Sequence, residues 1–591
     1  MQLKSQLTPA RVSCLAALAV LILHGSALRD VWTIDPDASA YVGLGQSLAA
    51  GDGYALEGIP HGKYTPGLPL LIASIIRATS PDAYLAFHGL LVVMLALTVL
   101  ITHRLICRLG YPPWAGSVIA CAVALSQTLC DLSVRYLRTE VPFMALSLAA
   151  LLLMSDALGP RRSWGRTALA AAFLAGAISL RMAGITLAVV PVLHLFIPSD
   201  GNRSRSRAAL LLLTVGLVLG AWSTRGASIR SANPDAPNYS AELLAQEPRD
   251  LTKTIRADMP TIDGAGLVRR VGGNLEVLAR ASAVLLTNID RAGARLPVGL
   301  ATLALILGGL VTMVRSSRSS QDAAAYLVAT LALYLLWPFN QQERFYVPLL
   351  PLLLLAAGLG LVLAYKALAM LAQLPFGRGS ALLIATAVAV VLSSQVSDHP
   401  TVLGRWSKSY TVVIGASWVL VAGLAWLLRR PQLPELRPQL AWLVPGLFLL
   451  PWLHFRAVEW PAQMRQFEER RLASPRVAPL DRIDVDPLLE QVALWLTEHT
   501  APEAVVMTDV PKMLAVLSGR RCIPFRYRID PPEILHGNAD VIFYTRELAQ
   551  VAAVMDAQAL NYELLLELAS PYAPPGEEHS PDSPRLYRPR P

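Results

Sequence analysis

The chain has 591 residues, 54% of them hydrophobic and 16% charged, with mean hydropathy +0.45, which is the make-up of a polytopic membrane protein rather than a soluble domain. A net charge of +9 on so apolar a chain does not suggest nucleic-acid binding. The five cysteines show neither zinc-ligand spacing nor a disulfide framework.

A membrane-spanning helix needs about 20 apolar residues, fewer where helices are interrupted. Runs of that kind predict thirteen spans, at 12–28, 83–102, 114–129, 141–158, 167–180, 182–198, 208–224, 296–314, 323–338, 347–365, 380–396, 410–428 and 439–455. The first, preceded by Lys4 and Arg11, is read as an uncleaved helix rather than a signal peptide. Charge then orients the bundle, because short cytoplasmic loops collect Lys and Arg. With the N-terminus inside, the short inner segments carry 17 basic and 3 acidic residues. The short outer segments, of the same total length, carry 8 and 9. The predicted fold class is therefore an α-helical polytopic membrane protein with its N-terminus cytoplasmic, and a bacterial plasma (inner) membrane is its expected location.

Residues 1–455 form the predicted membrane domain, with outer loops 29–82, 130–140, 225–295 and 339–346, and 456–591 a small α/β extracytoplasmic domain with a loose tail. Within 225–295 helical patterning runs from 267 to 286. The C-terminal part alternates a helix at 487–498, a strand at 504–508, a helix at 511–517, strands at 522–525 and 540–545, and a helix at 546–557. One short strand is expected within 571–591. The sequence shows no phosphate-binding glycine loop, nucleophile elbow or internal repeat.

The outer loops hold the chemistry-bearing residues. The first reads Thr33-Ile34-Asp35-Pro36-Asp37-Ala38-Ser39-Ala40-Tyr41, then Gly51-Asp52-Gly53-Tyr54, then Lys63-Tyr64-Thr65-Pro66-Gly67. A carboxylate at Asp37, with Tyr41 one helical turn on, suits a general base or a ligand to a hard divalent cation. The competing assignment is that Asp35 or Asp37 caps the short helix that follows. The second outer loop offers Arg138 and Glu140, which read equally well as an anion site with its acid or as an interfacial arginine and a helix-start acid. Arg181, isolated between two apolar runs, needs a partner to lie near the membrane, and Arg344 stands at the outer end of the ninth span. Arginines converging with carboxylates on one face fit a phosphate-bearing lipid substrate, the guanidinium holding the phosphate and the carboxylate activating an acceptor.

These motifs resemble the GT-C superfamily of membrane glycosyltransferases. Within it they are most similar to the family of dolichyl-phosphate-mannose protein mannosyltransferases and bacterial lipid A aminoarabinose transferases. The resemblance runs through the first loop, Arg138-Thr139-Glu140-Val141-Pro142, Arg181, Arg344-Phe345-Tyr346-Val347-Pro348 and Leu517-Ser518-Gly519-Arg520. It implies an inverting sugar transfer from a polyprenyl-phosphate donor, on the non-cytoplasmic face, to a glycan, lipid or protein acceptor. It also implies catalytic roles for Asp37 and Glu140. Substrate-binding roles fall to Tyr41, Lys63, Arg138, Arg181, Arg344 and Tyr346, with Asp37 as the candidate ligand if a divalent cation takes part. The chain departs from the pattern at Thr65, where many relatives have lysine, and at Pro36-Asp37, where an Asp-Glu pair is usual. Tail motifs of the oligosaccharyltransferase type are absent. A transporter or flippase of lipid-linked sugars is the alternative, and an O-antigen polymerase or ligase shares the donor. The gathering of ionisable residues at one face, with spans almost free of charge, favours the enzyme.

Overall fold

The computed structural model describes residues 8–28, 32–56, 59–80, 83–159, 163–197, 202–232, 243, 261–287, 292–338, 343–371, 483–484, 487–508, 511–524, 541–544, 562–567 and 585–589. The predicted spans 380–396, 410–428 and 439–455 and the predicted helix 546–557 lie outside these residues.

Helix α1 (Pro9–Gly25) starts where Thr8 accepts the Arg11 amide and Pro9 supplies a helical φ. A short strand β1 (Trp32–Thr33) leads to α2 (Pro36–Ala50), which ends at Gly51, held at φ +93° where a side chain would be strained. A two-residue hairpin, β2 (Ala55–Leu56) and β3 (Ile59–Pro60), precedes α3 (Gly67–Ala78). Then come α4 (Tyr84–Arg108), α5 (Pro113–Ala124), α6 (Gln127–Val134), α7 (Glu140–Ala157) and α8 (Trp164–Leu180). A 3-10 turn (Met182–Ala188) runs into α9 (Val189–Phe196), followed by α10 (Asn202–Ala232), α11 (Gly264–Thr287), α12 (Ala292–Val314), α13 (Arg318–Leu336), the single turn α14 (Glu343–Tyr346) and α15 (Leu350–Leu371).

Among the described residues five helices are long and apolar enough to cross a membrane, six if the bent pair Pro113–Ala124 and Thr128–Val134 is one span. The chain is an integral membrane protein, and these helices account for fewer spans than the thirteen expected. Several predicted spans coincide with helices of different extent. The run 114–129 breaks after Ala124, where the Ser126 side chain caps α6. The run 182–198 is 3-10 before it is α-helical. The run 208–224 is the middle of the longer α10, which carries Arg225 on its last turns instead of releasing it into a loop.

Packing sorts the helices. In its most apolar window α7 is 78% buried and the α10 segment 22%, so α7 is central and α10 peripheral. Leu213, Leu217, Leu307 and Leu361 stay exposed, as a lipid-facing surface requires. Helices α12 and α15 approach so closely that a methyl group on Gly309 would run into the Ala356 carbonyl, and one on Gly360 into the Leu305 carbonyl. This is small-residue packing of the kind membrane helices use where no hydrophobic drive separates helix from lipid. His194 Nε2 and Asp322 Oδ2 lie 3.1 Å apart, both buried, and tie α9 to α13.

In the C-terminal part, β4 (Ile483–Asp484) pairs in parallel with β1 and so fastens the first outer loop. Beyond it lie α16 (Pro487–His499), β5 (Val505–Thr508), α17 (Pro511–Ser518), β6 (Arg521–Pro524), β7 (Val541–Tyr544), β8 (Tyr562–Glu567) and β9 (Arg585–Pro589). The sheet order is β6-β5-β7-β9-β8, with β5 parallel to β6 and β7, and β9 antiparallel to β7 and β8. Strand β8 has no counterpart among the predicted elements. Arg520, part of the Leu517–Arg520 motif, donates to the carbonyls of Thr497 at 3.0 Å and Thr500 at 2.8 Å, closing the end of α16. Helix α17 packs on α2, so the tail buttresses the helix that carries Asp37.

Candidate active site

Asp35 and Asp37 separate by their place at the start of α2. Asp35 is the N-cap, its Oδ1 accepting the amides of Asp37 at 3.0 Å and Ala38 at 3.2 Å. Its Oδ2 accepts Nε of Arg138 at 2.9 Å, so one oxygen caps α2 and the other ties the start of α2 to the segment before α7. The amide of Thr33 also donates to the Arg135 carbonyl at 2.8 Å. Arg138 stacks over the Tyr136 ring at 4.5 Å. Asp37, two residues past the cap, is released from the helix end and projects sideways. Its Oδ1 accepts the Tyr64 hydroxyl at 2.8 Å and its Oδ2 faces Nη1 of Arg344 at 2.7 Å.

Glu140 lies in the first turn of α7 and is fully buried. Its Oε1 accepts Nη1 of Arg181 at 2.8 Å and also Nε of Arg344. Arg344 therefore bridges Asp37 and Glu140. The planar fork of a guanidinium offers donors to both carboxylates in a fixed geometry, where a lysine would offer rotatable donors from a single point. Arg181 terminates α8 in an extended conformation, φ −149° and ψ 133°, and its side chain passes over the Phe345 ring at 5.5 Å. Its neighbourhood is tight: a Cβ on Gly67 would stand 2.6 Å from the Ser179 carbonyl, and one on Gly184 2.8 Å from the Ile178 nitrogen. The partner that the isolated arginine requires is thus Glu140.

Tyr41 is buried under this network and meets the Tyr64 ring edge-on at 5.1 Å. Burial pushes its phenol well above the ordinary tyrosine range, and the Asp37 carboxylate adds to the shift, so Tyr41 stays neutral and serves as a wall of the site. Lys63 is half-buried with its ammonium 5.8 Å from the centre of the Tyr64 ring. Tyr346 is buried and packs edge-on against Tyr334 at 5.8 Å. The structure thus gathers Asp37, Glu140, Arg138, Arg181, Arg344 and Tyr41 at one end of the bundle, sets Lys63 beside Tyr64, and places Tyr346 in the supporting layer. Sequence reasoning passed over Tyr64, although it sits in the quoted Lys63-Tyr64-Thr65-Pro66 motif. A tyrosine between a lysine and a helix start carries no signal of its target until the loop is folded.

Among the described residues no three His, Cys, Asp or Glu side chains gather as a metal site would need. The partners of Asp37 are a guanidinium and a phenol, donors that suit an anion rather than a cation. Three guanidiniums here are matched by three carboxylates. A ligand with a phosphate group that displaced Glu140 from Arg344 would leave that carboxylate its pair with Arg181, and one that displaced Asp37 would leave it the Tyr64 hydroxyl.

The fold, with its carboxylates and arginines gathered where the loops meet the helices, is shared with solved membrane-protein structures. The structure is similar to ArnT from Cupriavidus metallidurans in the apo state, with TM-score 0.54 and 13% sequence identity over 97% of this chain and 97% of that one. It is similar also to ArnT from the same organism bound to undecaprenyl phosphate, with TM-score 0.52, 12% identity and the same 97% coverage of both chains. The archaeal oligosaccharyltransferase AglB from Archaeoglobus fulgidus overlaps 98% of this chain and 76% of its own, at 12% identity and a TM-score of 0.46, too low to carry weight by itself. No family model and no curated protein matches the sequence.

Proposed function

We propose that this protein transfers a sugar from a polyprenyl-phosphate donor to an acceptor glycan, lipid or protein on the non-cytoplasmic face of the membrane. The observation that carries the proposal is Arg344 held between Asp37 and Glu140, with Arg181 on the same Glu140 oxygen. The donor phosphate would take Arg344 and Arg181, freeing Asp37 Oδ2 toward the acceptor. Asp37 then removes the acceptor proton as its oxygen or nitrogen attacks the anomeric carbon. The bond from that carbon to the phosphate oxygen breaks, and the polyprenyl phosphate leaves with its added charge on the arginines. A single displacement inverts the anomeric centre. Glu140 keeps the guanidiniums aligned, and Tyr64 fixes the rotation of Asp37. The similarity to a structure bound to undecaprenyl phosphate supports a lipid-phosphate ligand of this kind.

In the same reading residues 1–455 are the catalytic membrane domain and 456–591 an extracytoplasmic α/β domain, with the N-terminus in the cytoplasm. The α2 buttress formed by α17 supports that arrangement, since it sets the C-terminal part on the same side as Asp37. The deciding experiment is transfer by purified protein from a synthetic undecaprenyl-phosphate sugar to envelope lipids. Product formation lost in Asp37→Asn supports the proposal, and product formation unaffected by that change rejects it.

A further inference from the structure

The loop that carries Tyr64 is held from the side by the outer end of α10. Arg225 Nη2 donates to the Tyr54 carbonyl at 2.8 Å and its Nε to the His61 carbonyl at 3.2 Å. Its guanidinium also lies over the Tyr54 ring at 5.3 Å, and Trp222, one turn earlier, meets that ring edge-on at 5.7 Å. The two segments are in contact here: a Cβ on Gly62 would stand 3.6 Å from the Gly226 Cα, an ordinary van der Waals distance.

From these anchors the bonds lead inward. The Tyr54 hydroxyl donates to the Tyr64 carbonyl at 2.8 Å, and the Tyr64 amide donates to His61 Nε2 at 3.0 Å. The His61 and Tyr64 rings stack at 5.3 Å. The Tyr64 hydroxyl then donates to Asp37 Oδ1. Both main-chain carbonyls taken by Arg225 belong to the two residues that hold Tyr64.

We infer that Arg225 is a positioning residue for Asp37, acting through Tyr54 and His61 on Tyr64. The inference rests on the reading of Asp37 as the base. A guanidinium fork spans two carbonyls in a fixed geometry, whereas a lysine ammonium reaches them from a single point and holds them loosely. With the fork gone the loop relaxes, the Tyr64 hydroxyl moves off Oδ1, and the carboxylate can rotate out of line with the acceptor. Misplacement of about 1 Å at a reacting group costs roughly 100-fold in rate.

The test uses the full-length protein in nanodiscs, with Arg225→Ala, Arg225→Lys, Tyr64→Phe and the Arg225→Ala/Tyr64→Phe double variant. Arg225→Ala should lower kcat for transfer from a polyprenyl-phosphate sugar by about 10- to 100-fold and leave the donor KM within about threefold. Lysine should restore part of the loss. In the Tyr64→Phe background the same alanine change should cost no more than about twofold, because its route to Asp37 is already cut. An equal loss in both backgrounds, or wild-type kcat in Arg225→Ala, overturns the inference. Should the alanine variant not fold, Arg225→Lys carries the same comparison. Hydrogen exchange at residues 54–64 reads the clamp without chemistry: faster exchange in Arg225→Ala supports it and unchanged exchange overturns it. A wild-type protein that transfers no sugar, with exchange at 54–64 still raised by Arg225→Ala, rejects the proposed function while the clamp stands.

Discussion

Replacing Arg344 by alanine removes the group that joins the two carboxylates, and the structure lets its consequences be divided. Glu140, fully buried, keeps Arg181 at 2.8 Å, and Asp37 keeps the Tyr64 hydroxyl and a side chain 19% exposed. Breaking a buried ion pair costs about 3–5 kcal/mol where the remaining charge has no other partner. Both carboxylates here retain one, so the loss of stability should fall near the lower figure, about 3 kcal/mol. Binding of a lipid phosphate loses a charge-assisted contact worth about 1.5–3 kcal/mol, a Kd raised about 10- to 100-fold. Arg344→Lys keeps the charge without the fork and should fall between wild type and alanine. Titration of purified protein with undecaprenyl phosphate, alongside a thermal melt in the same detergent, separates the two effects. A folded Arg344→Ala that binds undecaprenyl phosphate with wild-type affinity would refute the place given to Arg344 in the phosphate site.

Asp37→Asn should abolish sugar transfer while leaving undecaprenyl-phosphate affinity within a few-fold, measured by the same titration and a product assay; near-normal turnover would remove Asp37 as the base. Glu140→Gln strands Arg181 and half of Arg344 in a buried site, and should destabilise the protein by about 3 kcal/mol in a melt, with part of the loss recovered when saturating undecaprenyl phosphate supplies the missing negative charge; a variant as stable as wild type would contradict the burial of that carboxylate. Gly67→Ala sets a methyl group 2.6 Å from the Ser179 carbonyl, so α3 must shift away from α8 at a cost of about 1–3 kcal/mol, again read by melting. For topology, Asp52→Cys and Ser316→Cys are both exposed positions, and an impermeant maleimide applied to intact cells should label the first and not the second; the reverse pattern would invert the membrane orientation.

Much of the membrane part is legible in sequence because lipid imposes one strong rule, long apolar helices, and α4, α7, α12 and α15 obey it. Arg181 announced that it needed a partner, since a lone cation between apolar runs is costly, and the acid at the start of α7 supplies it. The sequence puts Asp37 ahead of Asp35 as the catalytic carboxylate, although both lie within capping distance of the same helix; the extended backbone at Asp35, φ −151°, and its bonds to the Asp37 and Ala38 amides show that Asp35 is the cap. What the sequence hid is set by contacts distant along the chain. The β1–β4 pairing joins residues 32–33 to 483–484 with two residues on each side, too short to show a period. Arg225 looked like the first residue of a loop, as a cation ending an apolar run, yet α10 continues through it to Ala232. Strand β8 gains its place only by pairing with β9.

The claim that matters most is that Asp37 and its arginines carry out sugar transfer from a polyprenyl-phosphate lipid. Mass spectrometry of lipids and envelope glycans from cells expressing wild type, Asp37→Asn or no protein tests it directly. The expected result is one sugar-modified acceptor present only with wild type, and a polyprenyl-phosphate sugar that accumulates with Asp37→Asn. An acceptor still modified to the wild-type level by Asp37→Asn, and lost only when the protein is absent, would contradict it and point instead to movement of the lipid-linked sugar across the membrane.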